Sequence, residues 1–279
     1  MRELPEVETI RRALDKESSG KKVKTAEVLG PMSAFPHHPN KKHLAHKLEG
    51  AKITGVSRKG LTILVALDTD DVMVVDLASG GSIFKTTPKE PLAKETLLVV
   101  AFTQGGQLRF VDASSTATIS VVSSDDLMAQ YPGLGSLGLD PVETPVSWIL
   151  FAEMLRGRKA KLKAFLTDQT TLAGLGEVYA DEILFTSGLR PDRVASSLTT
   201  QEIRRLYRSL VETLHDAIKY RGTALEGDGY ADIYGKPGEY QDHLKVHGRE
   251  KEACRRCRVP IVKVRYGSSF TYLCEQCQV

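Results

Sequence analysis

Four thiols can hold a metal ion, and this chain has four, all within its last 26 residues. They form two Cys-x-x-Cys pairs, Cys254/Cys257 in "CRRC" and Cys274/Cys277 in "CEQC", 16 residues apart. Each pair presents two thiolates from one tight turn, and two facing turns complete the tetrahedron that zinc prefers. Two disulfides are the competing use, but they suit secreted chains, and nothing resembling a signal peptide opens this one. A redox Cys-x-x-Cys stands alone near a βαβ pattern, which is missing here. All four coordination positions are filled by protein, so one structural zinc is expected rather than a catalytic one. Reduced thiols also point to a reducing compartment.

Other groups with chemical potential are less sharply patterned. Arg255, Arg256, Arg258, Lys263 and Arg265 make the cysteine module basic, either as a solvated rim or as a surface that tracks phosphates. Lys159, Lys161 and Lys163 cannot all share one helix face at their spacing. None of the seven histidines has ligand spacing with a carboxylate partner, so surface positions are expected for them. Trp148 reads as core. The "LAGLGE" run could present backbone amides to a phosphate or could simply be a glycine turn.

The elements that position these groups follow from pattern. "PEVETIRRALDKESS" at 5–19 reads as a helix, with Pro5 and glutamates in the first turn and Gly20 beyond its end. Between about 22 and 123, short β-branched runs such as "TILVALD", "DVMVVDLA" and "ATISVVSS" alternate with turn signals, which predicts a two-layer antiparallel sandwich. Residues 131–145 hold Gly and Pro without periodicity and read as a linker. "VSWILFAEMLRG", "KAKLKAFLTD", "EVYADEILFTSG" and the long run after Thr199-Thr200-Gln201-Glu202 have helical spacing. The stretch 222–240 reads as a long loop. The expected domains are therefore 1–130 (helix and β-sandwich), 131–145 (linker), 146–240 (helices and loop) and 241–279 (zinc hairpin). The fold class is α+β, multidomain.

At 279 residues, with 41% hydrophobic and 26% charged residues, the composition is that of an ordinary globular chain. No apolar run approaches the roughly 20 residues of a membrane span. The formal charge of +3 is uneven, about −1 over the first 150 residues and about +4 over the rest. A monomer is expected, placed in the cytoplasm and on the nucleoid if it binds DNA.

Three segments resemble one family. "ELPEVETIRRAL" looks like the start of the formamidopyrimidine-DNA glycosylase and endonuclease VIII family. "KLKAFLTDQTTLAGLGEVYADEILFTSGLRP" resembles its helix–two-turn–helix segment, and "YQDHLKVHGREKEACRRC" with "TYLCEQC" resembles its zinc finger. The resemblance implies DNA lying between two halves of the molecule, base excision and strand cleavage. In that chemistry an N-terminal proline, exposed by loss of Met, attacks the sugar C1′ through its amine. An adjacent glutamate moves protons, and cationic and amide side chains pin phosphates beside the flipped nucleotide.

This chain departs from that pattern at many of the matching positions. Arg2 stands where the proline should be, and a guanidinium stays protonated and is no nucleophile. A large second residue also blocks excision of the initiator, so Met1 is expected to remain. Glu3 and Glu6 match the family's acidic positions and are the catalytic candidates that the resemblance leaves, with charge stabilisation of the helix N-terminus as the competing reading. Leu61 replaces a phosphate-binding lysine, and Asp76 a histidine, with Ala78 and Ser79 following. Ser114 and Thr116 stand where Arg and Phe would wedge into the duplex. Glu177 replaces a phosphate-gripping asparagine, and Ser269 an arginine five residues before the third cysteine. The residues left as candidates for nucleic-acid contact are Arg58, Lys59, Lys161, Arg255, Arg256 and Arg258.

Three functional readings follow. The first is a DNA-repair-family protein that binds nucleic acid without the N-terminal-proline glycosylase and lyase chemistry. The second is an active DNA glycosylase using a non-standard route, through the Met1 amine or a water activated by Glu3. The third is a protein-interaction scaffold that does not bind DNA.

Overall fold

The computed structural model describes residues 2–143, 146–225 and 229–279. The chain runs α1 (Leu4–Ser18), β1 (Val23–Val28), α2 (Lys41–Leu48), β2 (Ile53–Lys59), β3 (Thr62–Leu67), β4 (Asp71–Asp76), β5 (Gly81–Thr86), β6 (Thr96–Phe102), β7 (Gln107–Asp112) and β8 (Thr118–Ser123). Two short helices follow, α3 (Leu127–Gln130) and α4 (Pro132–Gly135), then α5 (Trp148–Leu155), α6 (Leu162–Thr167), α7 (Glu177–Ser187) and α8 (Thr200–Lys219). The strands β9 (Val262–Tyr266) and β10 (Ser269–Leu273) close the chain as a hairpin. Two compact units result: residues 1–136 with 221–239, and residues 137–220 with 240–279.

The first unit is the expected antiparallel sandwich. Its sheets have the orders β1-β6-β7-β5 and β2-β3-β4-β8. Val7, Ile10 and Leu14 of α1, at helical spacing, share one core with Val65, Met73 and Val75 of one sheet and Leu98, Val100 and Phe110 of the other. The segment 221–239, expected to close the helical domain, instead belongs with this unit and places Tyr230 and Ile233 in its core. Part of that stretch, 226–228, lies outside the described residues, as do 144–145 of the expected linker. The linker's start is ordered, with Pro132 in the first turn of α4.

Helix α2 was not anticipated. Its sequence, "KKHLAHKL", is mostly polar, yet Asn40 caps it by accepting from the His43 amide, and Leu44 and Leu48 enter the core one turn apart. Two of the expected surface assignments for histidine also fail. His38 is buried and its Nε2 accepts the Val121 amide at 2.9 Å; burial and the neighbouring His43 lower its pKa to about 4. His247 is mostly covered and meets Asp181 at 2.9 Å. Trp148 is displaced in the opposite sense. Helix α5 turns Phe151 and Leu155 inward and leaves Trp148 37% exposed, with the Arg204 guanidinium 4.7 Å from its ring centre.

Glu8 is the electrostatic anchor of α1. It accepts from Arg11, Arg12 and Arg58, the last at 2.7 Å with both side chains buried. Burial alone would raise its pKa, but the three guanidinium hydrogen bonds prevail and hold it at about 2. Arg58 is therefore an internal strut and not a cation offered to solvent; its Nη1 also donates to Gly60 O at 3.1 Å. Among the described residues, no helix is long and apolar enough to cross a membrane.

Because the folded pKa of Glu8 is depressed, its stabilisation is complete above the ordinary value of 4.5 and is lost as pH falls toward 2. Glu8→Gln, which strands the Arg58 charge, is expected to cost about 3–5 kcal/mol at neutral pH. Urea denaturation across pH checks both statements, since the variant should lose part of the acid-side slope.

Candidate nucleic-acid interface and metal centre

The N-terminal positions singled out in the sequence do come together. Arg2, Val7, Leu61, Asp76, Leu77, Ala78 and Ser79 line one cavity of about 260 Å³ in the first unit. Arg2 is 4% exposed; its Nη2 donates to Ser82 Oγ at 3.0 Å, and its guanidinium carbon lies 6.0 Å from the Tyr230 ring centre. The cavity thus has a permanent cation, bonded to Ser82, beside an aliphatic wall, and a guanidinium cannot attack carbon. Leu61 packs partly against the core. Asp76 is exposed and accepts the Ala78 amide at 2.9 Å, which holds Ala78 at φ 44°.

Glu3 and Glu6 are both buried and form a reciprocal capping box at the start of α1. One oxygen of Glu6 accepts the Glu3 amide at 2.8 Å and the other accepts the Thr223 amide at 2.7 Å. Gly222 lies so close that a Cβ there would meet this carboxylate at 2.6 Å. Glu6 therefore fastens the 221–239 segment to the helix, a structural task that occupies both its oxygens. Ser114 and Thr116 belong to a loop organised by Asp112, which accepts amides from Ser114, Thr116 and Ala117.

In the second unit, α6, a double turn and α7 form the helix–two-turn–helix. Gln169 orders the turn, accepting the Gly174 amide at 2.8 Å and donating to Leu175 O at 2.7 Å. Lys163, passed over in the sequence, turns out to be its centre. It is 1% exposed and donates to Asp181 Oδ1 at 2.9 Å and Phe270 O at 2.8 Å. Glu177, the first residue of α7, pairs with the same ammonium, and Ser269 Oγ donates to Glu177 Oε1 at 3.1 Å. Two positions where the resemblance implied phosphate grip are thus bonded to each other. Asp181 also accepts from Thr271, from the Tyr272 amide at 3.2 Å and meets His247. Neighbouring Glu182 accepts the amides of Lys245, Val246 and His247.

The four cysteines converge as expected. Their Sγ atoms all lie within 4.8 Å of one another, with Cys254···Cys277 at 3.9 Å and Cys257···Cys274 at 3.4 Å. A zinc tetrahedron with Zn–S bonds near 2.3 Å has sulfur–sulfur edges of about 3.8 Å, so the set fits one structural zinc. Of the nearby cations, Arg256 is engaged within the fold. Its guanidinium stacks 4.4 Å from the Phe185 ring centre and donates to the carbonyls of Phe185 and Thr186, capping the end of α7. Arg255 bonds Asp242 O at 3.2 Å, and Arg255, Arg256 and Arg258 are all exposed. Lys161 is exposed at the start of α6, and Lys59 ends β2 partly covered.

An N-terminal helix on a β-sandwich, a helix–two-turn–helix and a four-cysteine zinc finger define a fold used in DNA repair. The chain belongs to the formamidopyrimidine-DNA glycosylase family. Residues 1–119 match that family's N-terminal domain, residues 137–227 its H2TH domain, and residues 251–279 the zinc finger found in FPG and IleRS. It is 36% identical to the formamidopyrimidine-DNA glycosylase of Heliobacterium modesticaldum, with both chains covered in full. It is 35% identical to that of Pelotomaculum thermopropionicum, covering 99% of the relative. Among solved structures, Lactococcus lactis Fpg in complex with abasic-site DNA is similar, with a TM-score of 0.86, 31% identity and 99% of each chain covered.

Two measurements test the second unit. Lys163→Met leaves Asp181 and Glu177 without their shared cation and is expected to destabilise the protein by about 3–5 kcal/mol in denaturant titrations. Metal analysis should return one zinc per chain, and Cys274→Ser should lower that content and melt the hairpin.

Proposed function

We propose that the protein binds DNA as a member of its repair family but does not carry out base excision and strand cleavage through an N-terminal amine. The observation that carries this reading is Arg2. A buried guanidinium lines the cavity at the position of the expected nucleophile, and it remains protonated at any physiological pH. The two backbone amides bound by Glu6 give its carboxylate a structural task, which supports the same reading. The alternative route through the Met1 amine falls on a residue outside those described. A route through water at Glu3 must use a carboxylate already engaged in the capping box.

DNA binding is supported by family membership and by similarity to an Fpg bound to abasic-site DNA. On this reading the protein is cytoplasmic and associates with the nucleoid. The contacts are fewer than the resemblance implied. Lys59, Lys161, Arg255 and Arg258 remain as phosphate contacts, whereas Arg58 and Arg256 hold the fold together. Glu177 is half-exposed at the start of α7 and paired with the Lys163 ammonium, so this position offers a phosphate no side-chain amide.

Borohydride trapping on abasic duplexes is expected to give no covalent adduct, and lesion-containing duplexes should release no base. An adduct through Met1 or measurable base release refutes the non-catalytic reading. Filter or anisotropy assays should show duplex binding that weakens as salt rises. Absence of binding at low salt would favour the scaffold reading. Glu177→Asn should change duplex affinity by less than the roughly fivefold that one uncompensated charge would give, because Lys163 already compensates this carboxylate.

A further inference from the structure

The zinc hairpin has two faces with different chemistry. In the β9–β10 register, Phe270 stands opposite Arg265 and Tyr272 opposite Lys263, whereas Ser269 pairs with Tyr266 and Thr271 with Val264. Residues directly opposed across an antiparallel pair share a face. One face therefore carries Lys263, Arg265, Phe270 and Tyr272. The other carries Ser269 and Thr271, which are bound to Glu177 and Asp181 and so are committed to α7.

The first face is open at Lys263, Arg265 and Phe270, while Tyr272 is partly covered. Phe270 is 51% exposed, and Lys263 and Arg265 are exposed. Lys263 Nζ lies 4.5 Å from the Phe270 ring centre and 5.5 Å from that of Tyr272. The far edge of Tyr272 is held by His247, ring centres 4.8 Å apart, and His247 is itself fixed by Asp181. Neither strand contains Asp or Glu. Phe270 lies outside the metal core, which is made by Phe185, Val246, Ile261 and the cysteines, with one side of Tyr272 packed against it. Its ring is thus exposed to water on a rigid, metal-stapled ribbon, between two cations.

We propose that this face is a stacking platform for unpaired nucleobases, with Phe270 as the principal ring, Tyr272 as the second, and Lys263 and Arg265 on the flanking phosphates. The ligand class is single-stranded nucleic acid, or an unpaired stretch within a duplex. Residues two apart on a strand lie about 7 Å from each other, so the rings can receive successive bases of an extended strand. Base–aromatic stacking tolerates any sequence, and paired cations supply the salt-dependent grip. The platform is on the opposite face of the ribbon from Ser269 and Glu177, so it acts separately from them. This inference rests on the reading that the protein binds nucleic acid.

The test uses zinc-loaded full-length protein and a short oligothymidylate beside a blunt duplex. Phe270→Ala is expected to weaken oligothymidylate binding about tenfold and leave duplex binding unchanged, with zinc content and melting as in the wild type. Phe270→Trp in a Trp148→Phe background should keep the affinity and show fluorescence quenching by the oligonucleotide, since Trp148 is the single native tryptophan. Duplex binding without oligothymidylate binding overturns the platform alone, as does equal affinity of wild type and Phe270→Ala. Failure to bind either nucleic acid overturns both this inference and the DNA-binding reading. Binding of an acidic peptide in a Phe270-dependent way, with no oligothymidylate binding, reassigns the face to a protein partner and overturns the proposal.

Discussion

The contact between Lys163 and Asp181 is the constraint on which the second unit depends. Both groups are removed from water, so each is tolerable only because the other is present. Lys163 lies on α6 and Asp181 on α7, so the pair fixes the two helices around their double turn. The remaining capacity of Asp181 is taken by Thr271 and the Tyr272 amide of β10 and by His247. Lys163 in turn reaches Phe270 O. One buried charge pair thus sets the angle of the helices and seats the metal hairpin against them. The zinc gives the hairpin its internal shape, and Asp181 gives it its place.

The first unit uses carboxylates in the same manner. Glu8 binds α1 to β2 through Arg58, and Glu6 binds α1 to the 221–239 segment through the Thr223 amide. The helix entering the sandwich is therefore tied at neighbouring turns, one tie ionic and the other to backbone. Glu6 and Glu8 thus each hold α1 in place, and the fold accommodates a buried guanidinium at position 2.

Features with short sequence reach could be read from the chain. The zinc ligands announce themselves by two Cys pairs, each with two residues between, and α8 by Thr199 at its N-cap with Glu202 in the first turn. The alternating β-branched runs foretold the sandwich. What escaped depends on partners far along the chain. Lys163 looks like one of three surface lysines until Asp181, 18 residues on, and Phe270, 107 residues on, are in place. Arg58 looks like a free cation until Glu8, 50 residues earlier, is seen against it. His247 gains its carboxylate across 66 residues. Trp148 misleads for a different reason: α5 is apolar on nearly every side, and nothing local says that only Phe151 and Leu155 turn inward.

The bond between Ser269 and Glu177 makes these two positions epistatic. An arginine introduced at 269 alone would be neutralised by the Glu177 carboxylate before it could meet a phosphate. An asparagine introduced at 177 alone would leave Lys163 to Asp181 and still lack the arginine. Neither change alone supplies a phosphate grip at this place, so the two positions have to change together.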